Sequence, residues 1–366
     1  KELVIPSAAE LPETKLSEIL EKNLAAELKE QGISCAPVIV RVVSNIETSS
    51  KIEEIGSAVS AQKDSKASKN QKEFPYRSKC ILAFQRVQGH EICFFAMYVQ
   101  EYGSDCPEPN TNRVYISYLD SVRYFESSPE GQRTFVYHSI LINYLGYAKE
   151  LGYQWGHIWV SPPKMGDDYI FYAHPEAMLS KRMGLLKLKE WYEKMLEIAK
   201  RRQIVFDFQD MLEEYKDIEA ASDIPVFSGD HWAASIANKL IEFKKKEQEL
   251  SKKNPGAGGS GKGSCTRSGM DKQDEQLLNQ IQEEMRSMRN HFIVVTLTEQ
   301  KKGHKPGVIV DPVPLMSNEF VDTRSAFLEK CQMCAPPLPA LAAPAAPRAS
   351  TRPPTRPGPQ PTLPPA

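Results

Sequence analysis

The sequence predicts an α/β fold in which a central mixed β-sheet is flanked by helices. Runs rich in β-branched and aromatic residues, most clearly 38–43 and 92–99, alternate with longer stretches whose apolar residues recur at helical spacing. Such alternation is typical of helices packed on a sheet. An apolar content of 41% and a charged content of 25% fit an ordinary globular domain.

The first part of the chain is predicted to form one helix followed by strands. Residues 16–30 place Leu16, Leu20, Leu24 and Leu28 on one helical face, and Gly32 can end that helix. Strands are expected at 38–43, 80–85, 92–99 and 114–118. The second and third of these strands form a hairpin that turns at 88–90, and the polar residues 49–72 form a loop.

The second part of the chain is predicted to be mainly helical. A helix opens at Arg133 and runs to residue 151, where Gly152 stops it. Further helices are expected at 185–202, 232–250 and 271–290. Short strands are expected at 157–160, 169–172 and 292–297.

Composition divides the chain into one domain, an insertion and a tail. Residues 1–250 and 271–330 are predicted to form a single domain, and 251–270 a flexible Gly/Ser/Lys insertion. A glycine-rich run in this insertion fails as a phosphate-binding loop because Gly263, not Ser or Thr, follows Lys262. The Pro/Ala-rich residues 331–366 are expected to be a disordered tail.

Charge and cysteine content exclude several classes of function. A net charge of −1 argues against direct binding of nucleic acid, and no long apolar run predicts a membrane span. The seven cysteines lack a disulfide spacing pattern, which favours free thiols in a reducing compartment. Cys331 and Cys334 form one CxxC without a second pair, so we expect no metal site.

Two segments have the chemistry of an anion or cofactor site. Arg133 and Thr134 open a helix, and a helix N-terminus with an arginine and a hydroxyl can bind a pyrophosphate. The simpler interpretation is a capping Thr134 beside a solvent-facing Arg133. Residues 119–121 follow a predicted strand, and α/β folds place ligands at strand ends. A plain turn explains these residues equally well.

Aromatic residues supply the candidates for catalysis. Tyr192 shares a buried helical stripe with Met195, Leu196 and Ala199, which fits simple packing. A tyrosine is also a competent acid for a departing thiolate, since its pKa is about 10. Trp159 ends a predicted strand, where it can serve either the core or a site.

Taken together, these segments resemble the catalytic domain of the CREB-binding-protein family of lysine acetyltransferases. The densest agreement covers residues 94–120 and 133–174, including Tyr115-Ile116-Ser117-Tyr118-Leu119-Asp120-Ser121 and Gly166-Asp167-Asp168-Tyr169-Ile170-Phe171. Agreement over many separate segments is far more specific than any single motif.

The resemblance implies transfer of acetyl from acetyl-CoA to lysines of histones and other nuclear proteins, in the nucleus and as a transcriptional coactivator. It also implies an acetyltransferase-like core with a long substrate-binding loop over the cofactor, and transcription factors bound through regions outside this chain. Tyr192 would be the general acid and Trp159 would line the lysine channel. The implied acetyl-CoA contacts are Leu119, Asp120, Ser121, Arg133, Thr134, Lys187 and Trp191. The implied substrate-channel residues are Tyr137, Tyr169, Ser78 and Asp322.

Several positions depart from the family pattern. Lys187 stands where the family has an arginine, which keeps the charge but loses the bidentate fork. Ser228 and Ser325 stand where acids are usual, and Ser78 replaces a threonine, so we expect weaker selection for basic peptides. Two alternatives remain open: a catalytically weak acyl-CoA-binding scaffold of the same fold, and a small-molecule acyltransferase.

Overall fold

The computed structural model describes residues 6–52, 72–162, 169–172, 174, 178, 183–218, 223–230, 272–299 and 307–334. The strands are β1 Val38–Ile52, β2 Lys72–Val87, β3 His90–Tyr102, β4 Arg113–Ser121, β5 Trp155–Trp159, β6 Asp207–Asp210 and β7 Phe292–Thr296. The helices are α1 Lys15–Glu30, α2 Arg133–Leu151, α3 Leu185–Arg201, α4 Met211–Glu214, α5 Lys272–Met288 and α6 Arg324–Cys334.

The strands form one seven-stranded mixed sheet in the order β1-β2-β3-β4-β5-β7-β6, which confirms the predicted α/β class. Only β4 and β5 pair in parallel, with Ile116 opposite Ile158, and α2 connects them. In such a βαβ unit the ends of both strands and the start of the helix meet at one edge of the sheet. That edge carries the candidate site.

The predicted hairpin of β2 and β3 is confirmed. The strands reverse at Gln88 and Gly89, whose φ angles of 50° and 85° are both in the left-handed region. A two-residue hairpin turn needs this geometry, because it matches the twist of the flanking strands. The predicted helix stop is also confirmed, since Gly152 ends α2 with φ 107°.

Helices and loops cover both faces of the sheet. Leucines of α1, nearly all of α2 and the buried stripe of α3 pack against one face in a single core. Between Val136 and Ala148, α2 is buried nearly all round, so other elements enclose it on almost every side. On the other face, α4 and α5 pack against β7, and Val321 and Ile170 pack against β2 and β3.

Some element predictions are wrong. Residues 49–52 belong to β1 and Lys72 begins β2, although both were expected in the loop 49–72. The pairing of β1 with β2 explains this difference. It continues into the polar residues, where Ser50 lies opposite Phe74. Residues 169–172 are irregular, not a strand, because their N–H groups bond to a side chain instead of a neighbouring strand.

Other boundaries also shift. Leu119, Asp120 and Ser121 are the last residues of β4 and do not follow it. The helix α6 continues through residues 331–334, which were assigned to the tail. The elements β6, α4 and α6 were not predicted.

The predicted helix 232–250, the insertion 251–270 and the tail from 335 lie outside the described residues. Every described helix is too short or too polar to span a bilayer.

Candidate active site

A cavity of about 130 Å³ opens at the edge of the sheet where β4 and β5 end. We call it the reaction pocket. It brings together four residues that the sequence pointed to, Leu119, Trp159, Tyr169 and Tyr192. The remaining lining residues are Tyr115, Ile116, Ser117, Tyr118, Ser161 and Gly229. Aromatic rings therefore form much of its wall.

Tyr192 projects into the reaction pocket from the buried stripe of α3, as its helical spacing predicts. The residue is only 5% exposed, and its ring packs edge-on against Trp191 at a centroid distance of 5.0 Å. Burial, with a smaller contribution from Tyr169, raises the pKa of the Tyr192 phenol well above its usual value. The phenol is therefore a neutral hydrogen-bond donor at physiological pH.

Trp159 closes the pocket at the end of β5. Its indole packs edge-on against Phe292 at 4.0 Å and stacks on His291 at 5.6 Å, measured between ring centroids. These contacts, with the first residue of β7 and with the residue just before it, fix the orientation of the indole. Trp159 therefore presents a fixed aromatic surface to the pocket.

Asp120 acts on the pocket through the backbone of another segment. One carboxylate oxygen accepts hydrogen bonds from the N–H groups of Ile170 at 2.9 Å and Phe171 at 3.0 Å. The other lies 2.7 Å from Nε2 of His174 and accepts the N–H of Ser121. Asp120 was predicted to contact the cofactor. In the structure, both of its oxygens instead bond to residues that follow Tyr169.

The start of α2 lies at the same edge and suits an anion. Gln132 precedes the helix but makes no side-chain cap, so the first N–H groups are available to a ligand. Thr134 is exposed in that turn and is not the cap. Burial raises the pKa of the nearby Tyr137, while its interactions with Ser121 and Arg133 lower it. Ser121, Arg133 and Tyr137 are therefore close together at the start of α2.

The sequence did not single out His138 as a partner of Trp191. The two rings are in contact, with centroids 4.4 Å apart, and join α2 to α3. Burial lowers the pKa of His138 to about 4, although a hydrogen bond with the backbone of Trp191 acts in the opposite direction. His138 is thus neutral at physiological pH. Because His138 lies four residues after Thr134, the sequence could have placed both residues on the same face of α2.

A second cavity of about 220 Å³ adjoins the first and shares Ser117, Tyr118 and Gly229 with it. We call it the hydroxyl pocket. It contains both Ser78 and Asp322, which the sequence assigned to a substrate channel. The other lining residues are Ile46, Thr48, Tyr76, Tyr98, Gln100, Ser228, Thr323, Arg324 and Ser325.

Some predicted site residues line neither pocket, namely Asp120, Ser121, Arg133, Thr134, Tyr137, Lys187 and Trp191. Of these, Lys187 is exposed on the first turn of α3. A larger cavity of about 480 Å³ lies between α1 and the start of β1 and contains Cys35. None of the predicted site residues lines that cavity, so its size does not make it the candidate. Among described residues, no cluster of His, Cys, Asp or Glu is arranged to hold a metal.

Comparison of the sequence with known proteins shows the family of this chain. Residues 25–309 match the family described as histone acetyltransferase domain KAT3. Protein cbp-1 of Caenorhabditis elegans is 40% identical over 248 residues, covering 66% of this chain and 12% of the relative. Histone acetyltransferases HAC12 and HAC2 of Arabidopsis thaliana are 34% and 39% identical, over 79% and 67% of this chain.

The fold is a mixed α/β domain whose two adjoining pockets lie at one edge of a seven-stranded sheet. The chain belongs to the KAT3 histone acetyltransferase family, the family of the CREB-binding protein, as its sequence resemblance indicated. It spans 19% of the length of each of the two Arabidopsis relatives and 12% of the length of the nematode protein.

Proposed function

We propose that this chain transfers an acetyl group from acetyl-CoA to lysine side chains of histones and other nuclear proteins. One observation carries this proposal beyond family membership. The buried phenol of Tyr192 faces a pocket walled by Trp159 and Tyr169, beside the uncapped start of α2. A proton donor, an apolar channel and an anion site are the three parts that the reaction needs.

The residues present fit acetyl-CoA as co-substrate. Its diphosphate would lie at the first N–H groups of α2, with Arg133 and Thr134 beside it. Leu119 and the backbone of β4 would flank the pantetheine arm, and Trp191 would pack near it. Lys187 would add a positive charge from the start of α3. When bound, this co-substrate supplies an activated thioester.

The chain's own groups would then do two things. Trp159 and Tyr169 would hold the lysine side chain in a dry channel, which favours the neutral amine needed for attack. As the lysine nitrogen bonds to the acetyl carbon and the C–S bond breaks, Tyr192 would give its proton to the sulfur, and the proton lost from the nitrogen would restore the phenol. Its raised pKa keeps it protonated until that moment.

The wider role follows from the family. We propose that the domain works in the nucleus as part of a transcriptional coactivator, and that transcription factors bind regions outside this chain. We expect no direct contact with nucleic acid or membrane. The scaffold alternative has one observation in its favour, because only one of the lining residues of the hydroxyl pocket is acidic.

The test compares the wild type with Tyr192→Phe. Transfer of labelled acetyl to a histone-tail peptide is followed, and acetyl-CoA affinity is measured by calorimetry. We expect kcat to fall by about 10²–10⁴-fold while affinity is nearly unchanged, because only the proton donor is removed. Tyr153→Phe is the matched control, since it deletes another buried hydroxyl at the opposite end of α2.

Two results would contradict parts of the proposal. Equal loss of turnover and acetyl-CoA binding in Tyr192→Phe would make Tyr192 a structural residue. Binding of acetyl-CoA by the wild type without any turnover would favour the acyl-CoA-binding scaffold. Faster acetylation of small amines than of peptides would instead favour a small-molecule acyltransferase.

A further inference from the structure

Residues 224–230 form neither a helix nor a strand, yet Val226 and Phe227 are each only 4% exposed. Ser228 lines the hydroxyl pocket, and Gly229 lines both pockets. Buried backbone N–H and C=O groups need hydrogen-bond partners, because an unpaired one costs free energy comparable to a lost hydrogen bond. Whatever holds the backbone of this segment therefore also shapes the pockets.

Two side-chain amides supply these partners in the pattern of a β-ladder. Nδ2 of Asn110 donates to the carbonyl of Val226 at 2.6 Å, and Oδ1 accepts the N–H of the same residue at 3.0 Å. Nε2 of Gln100 donates to the carbonyl of Ser228 at 2.8 Å, and Oε1 accepts its N–H at 3.2 Å. Alternate residues exchange both bonds in this way in an antiparallel ladder. Each amide thus takes the place of a peptide group in a neighbouring strand.

Both amides are themselves held in place. Asn110 is 0% exposed, so its side chain has no room to turn away. The hydroxyl of Tyr102 donates to Oε1 of Gln100 at 2.7 Å, which fixes the end of that amide that accepts. Burial raises the pKa of Tyr102, so the phenol keeps the proton that it donates.

Phe227 lies between the two bonded residues and packs onto the sheet. Its ring stacks on Tyr115 with the ring centroids 4.8 Å apart, and it contacts Tyr102 at 5.4 Å and His157 at 4.6 Å. Tyr115 lines the reaction pocket. The backbone and the side chain of the segment are therefore fixed together against β3, β4 and β5.

The turn at Gly229 comes directly after the second amide pair. Its φ of 73° is in the left-handed region, and a Cβ at this position would lie 3.6 Å from the hydroxyl of Tyr118. Tyr118 also lines both pockets. The position of the turn therefore sets the width of the opening where the two pockets join.

We propose that Asn110 and Gln100 are positioning residues for acetyl transfer, because they hold the turn at Gly229 and so keep the reaction pocket narrow enough to favour lysine over water. This inference rests on the proposed function. A loosened turn would admit water beside the thioester. The water oxygen would then bond to the acetyl carbon as the C–S bond breaks, and one of its protons would pass to the sulfur. The products would be acetic acid and the free thiol of coenzyme A.

The test uses Asn110→Ala, because Asn110 lines neither pocket and its side chain does not touch a substrate there. Transfer of labelled acetyl to a histone-tail peptide and release of labelled acetate above the uncatalysed rate are measured in the same reaction. The ratio of transfer to hydrolysis does not depend on how much of the variant is folded. We expect this ratio to fall about tenfold or more, since a misplacement of about 1 Å can cost about 10²-fold in rate. Affinity for acetyl-CoA, measured by calorimetry, should be nearly unchanged.

Gly229→Ala moves the same turn without removing either amide. Alanine is strained at a φ of 73°, so the turn should shift and the ratio should fall again. Asn143→Ala is the matched control, because this buried asparagine of α2 bonds to Asn23 and Glu27 and lines neither pocket. It should lower the free energy of unfolding and leave the ratio unchanged.

The outcomes separate this inference from the proposed function. If the wild type transfers acetyl and both variants keep its ratio of transfer to hydrolysis, the amides only stabilise the fold and the inference is overturned. An equal fall in Asn143→Ala would overturn it as well, because any loss of stability would then suffice. If Asn110→Ala does not fold, the ratio in Gly229→Ala decides. Absence of acetyl transfer by the wild type would instead contradict the proposed function, and positioning for that reaction would fall with it.

Discussion

The ammonium of Lys79 lies 2.6 Å from a carboxylate oxygen of Asp311, where their side chains are 0% and 3% exposed. Lys79 also pairs with the buried Glu101, and Tyr144 and Tyr147 of α2 donate to the two carboxylates. The cluster therefore joins the part of the chain around Asp311 to β2, β3 and α2. That segment carries Asp322 and Arg324 to the hydroxyl pocket.

Lys79→Met should be strongly destabilising. It leaves the buried Glu101 without its ammonium partner, while Asp311 keeps only its pair with Arg77, at a cost of about 3–5 kcal/mol. The free energy of unfolding in urea measures this. Lys200→Met is the matched control, because its pair with Asp207 is largely exposed and should change stability by about 0.5 kcal/mol or less. If the free energy of unfolding changed by a similar amount in both variants, the buried cluster would contribute no more to stability than an exposed ion pair.

Asp120→Asn should impair use of the peptide more than binding of acetyl-CoA. The amide loses one acceptor group, so the N–H groups of Ile170 and Phe171 or the ring of His174 lose a partner. Unsatisfied buried groups cost about 1–3 kcal/mol each, and Tyr169 would be held less firmly in the reaction pocket. Steady-state kinetics with varied peptide measure the effect, with Asp207→Asn on the exposed surface as control.

A rise in KM for the peptide, together with an almost unchanged affinity for acetyl-CoA, is the expected pattern for Asp120→Asn. If the affinity for acetyl-CoA falls while the KM for the peptide is almost unchanged, Asp120 would instead be a direct contact of the cofactor, as the family resemblance implied.

Acid should destabilise the domain partly through His138. Burial lowers the pKa of His138 to about 4 in the folded state, whereas an unfolded histidine has a value of about 6.5. The unfolded chain therefore binds the proton more readily between these values. The stabilisation is fully present above about pH 6.5 and is lost as the pH falls towards 4.

His138→Asn removes this titration and should flatten the decline in unfolding free energy between about pH 6.5 and 4. Urea denaturation at several pH values measures the slope, with the exposed His90→Asn as control. Burial lowers the pKa of His157 as well, so part of the decline should persist in the variant. An unchanged slope in His138→Asn would mean that His138 is not held neutral by its burial.

Local pattern was sufficient for much of this fold and for part of the site. Periodicity placed Tyr192 on the buried stripe of α3, and the β-branched runs located the central strands, because burial leaves a period in the sequence. Polar residues 49–52 were misjudged, since a strand extended by pairing with Phe74 and its neighbours needs no apolar pattern of its own. Residues 169–172 were misjudged because their hydrogen bonds go to Asp120, 50 and 51 residues away from the bonded N–H groups.

The sequence by itself determined the fold class and the family, and it supplied the candidate site residues. Only the tertiary structure decided which of them meet. The parallel pairing of β4 with β5 across α2 brings Leu119, Trp159 and the start of α2 to one edge. The tertiary structure also showed that the carboxylates of Asp120 and Asp322 accept hydrogen bonds from backbone and hydroxyl groups of the protein. Charge and type are local properties of a residue, whereas the partners that satisfy it are chosen by the packing of distant segments.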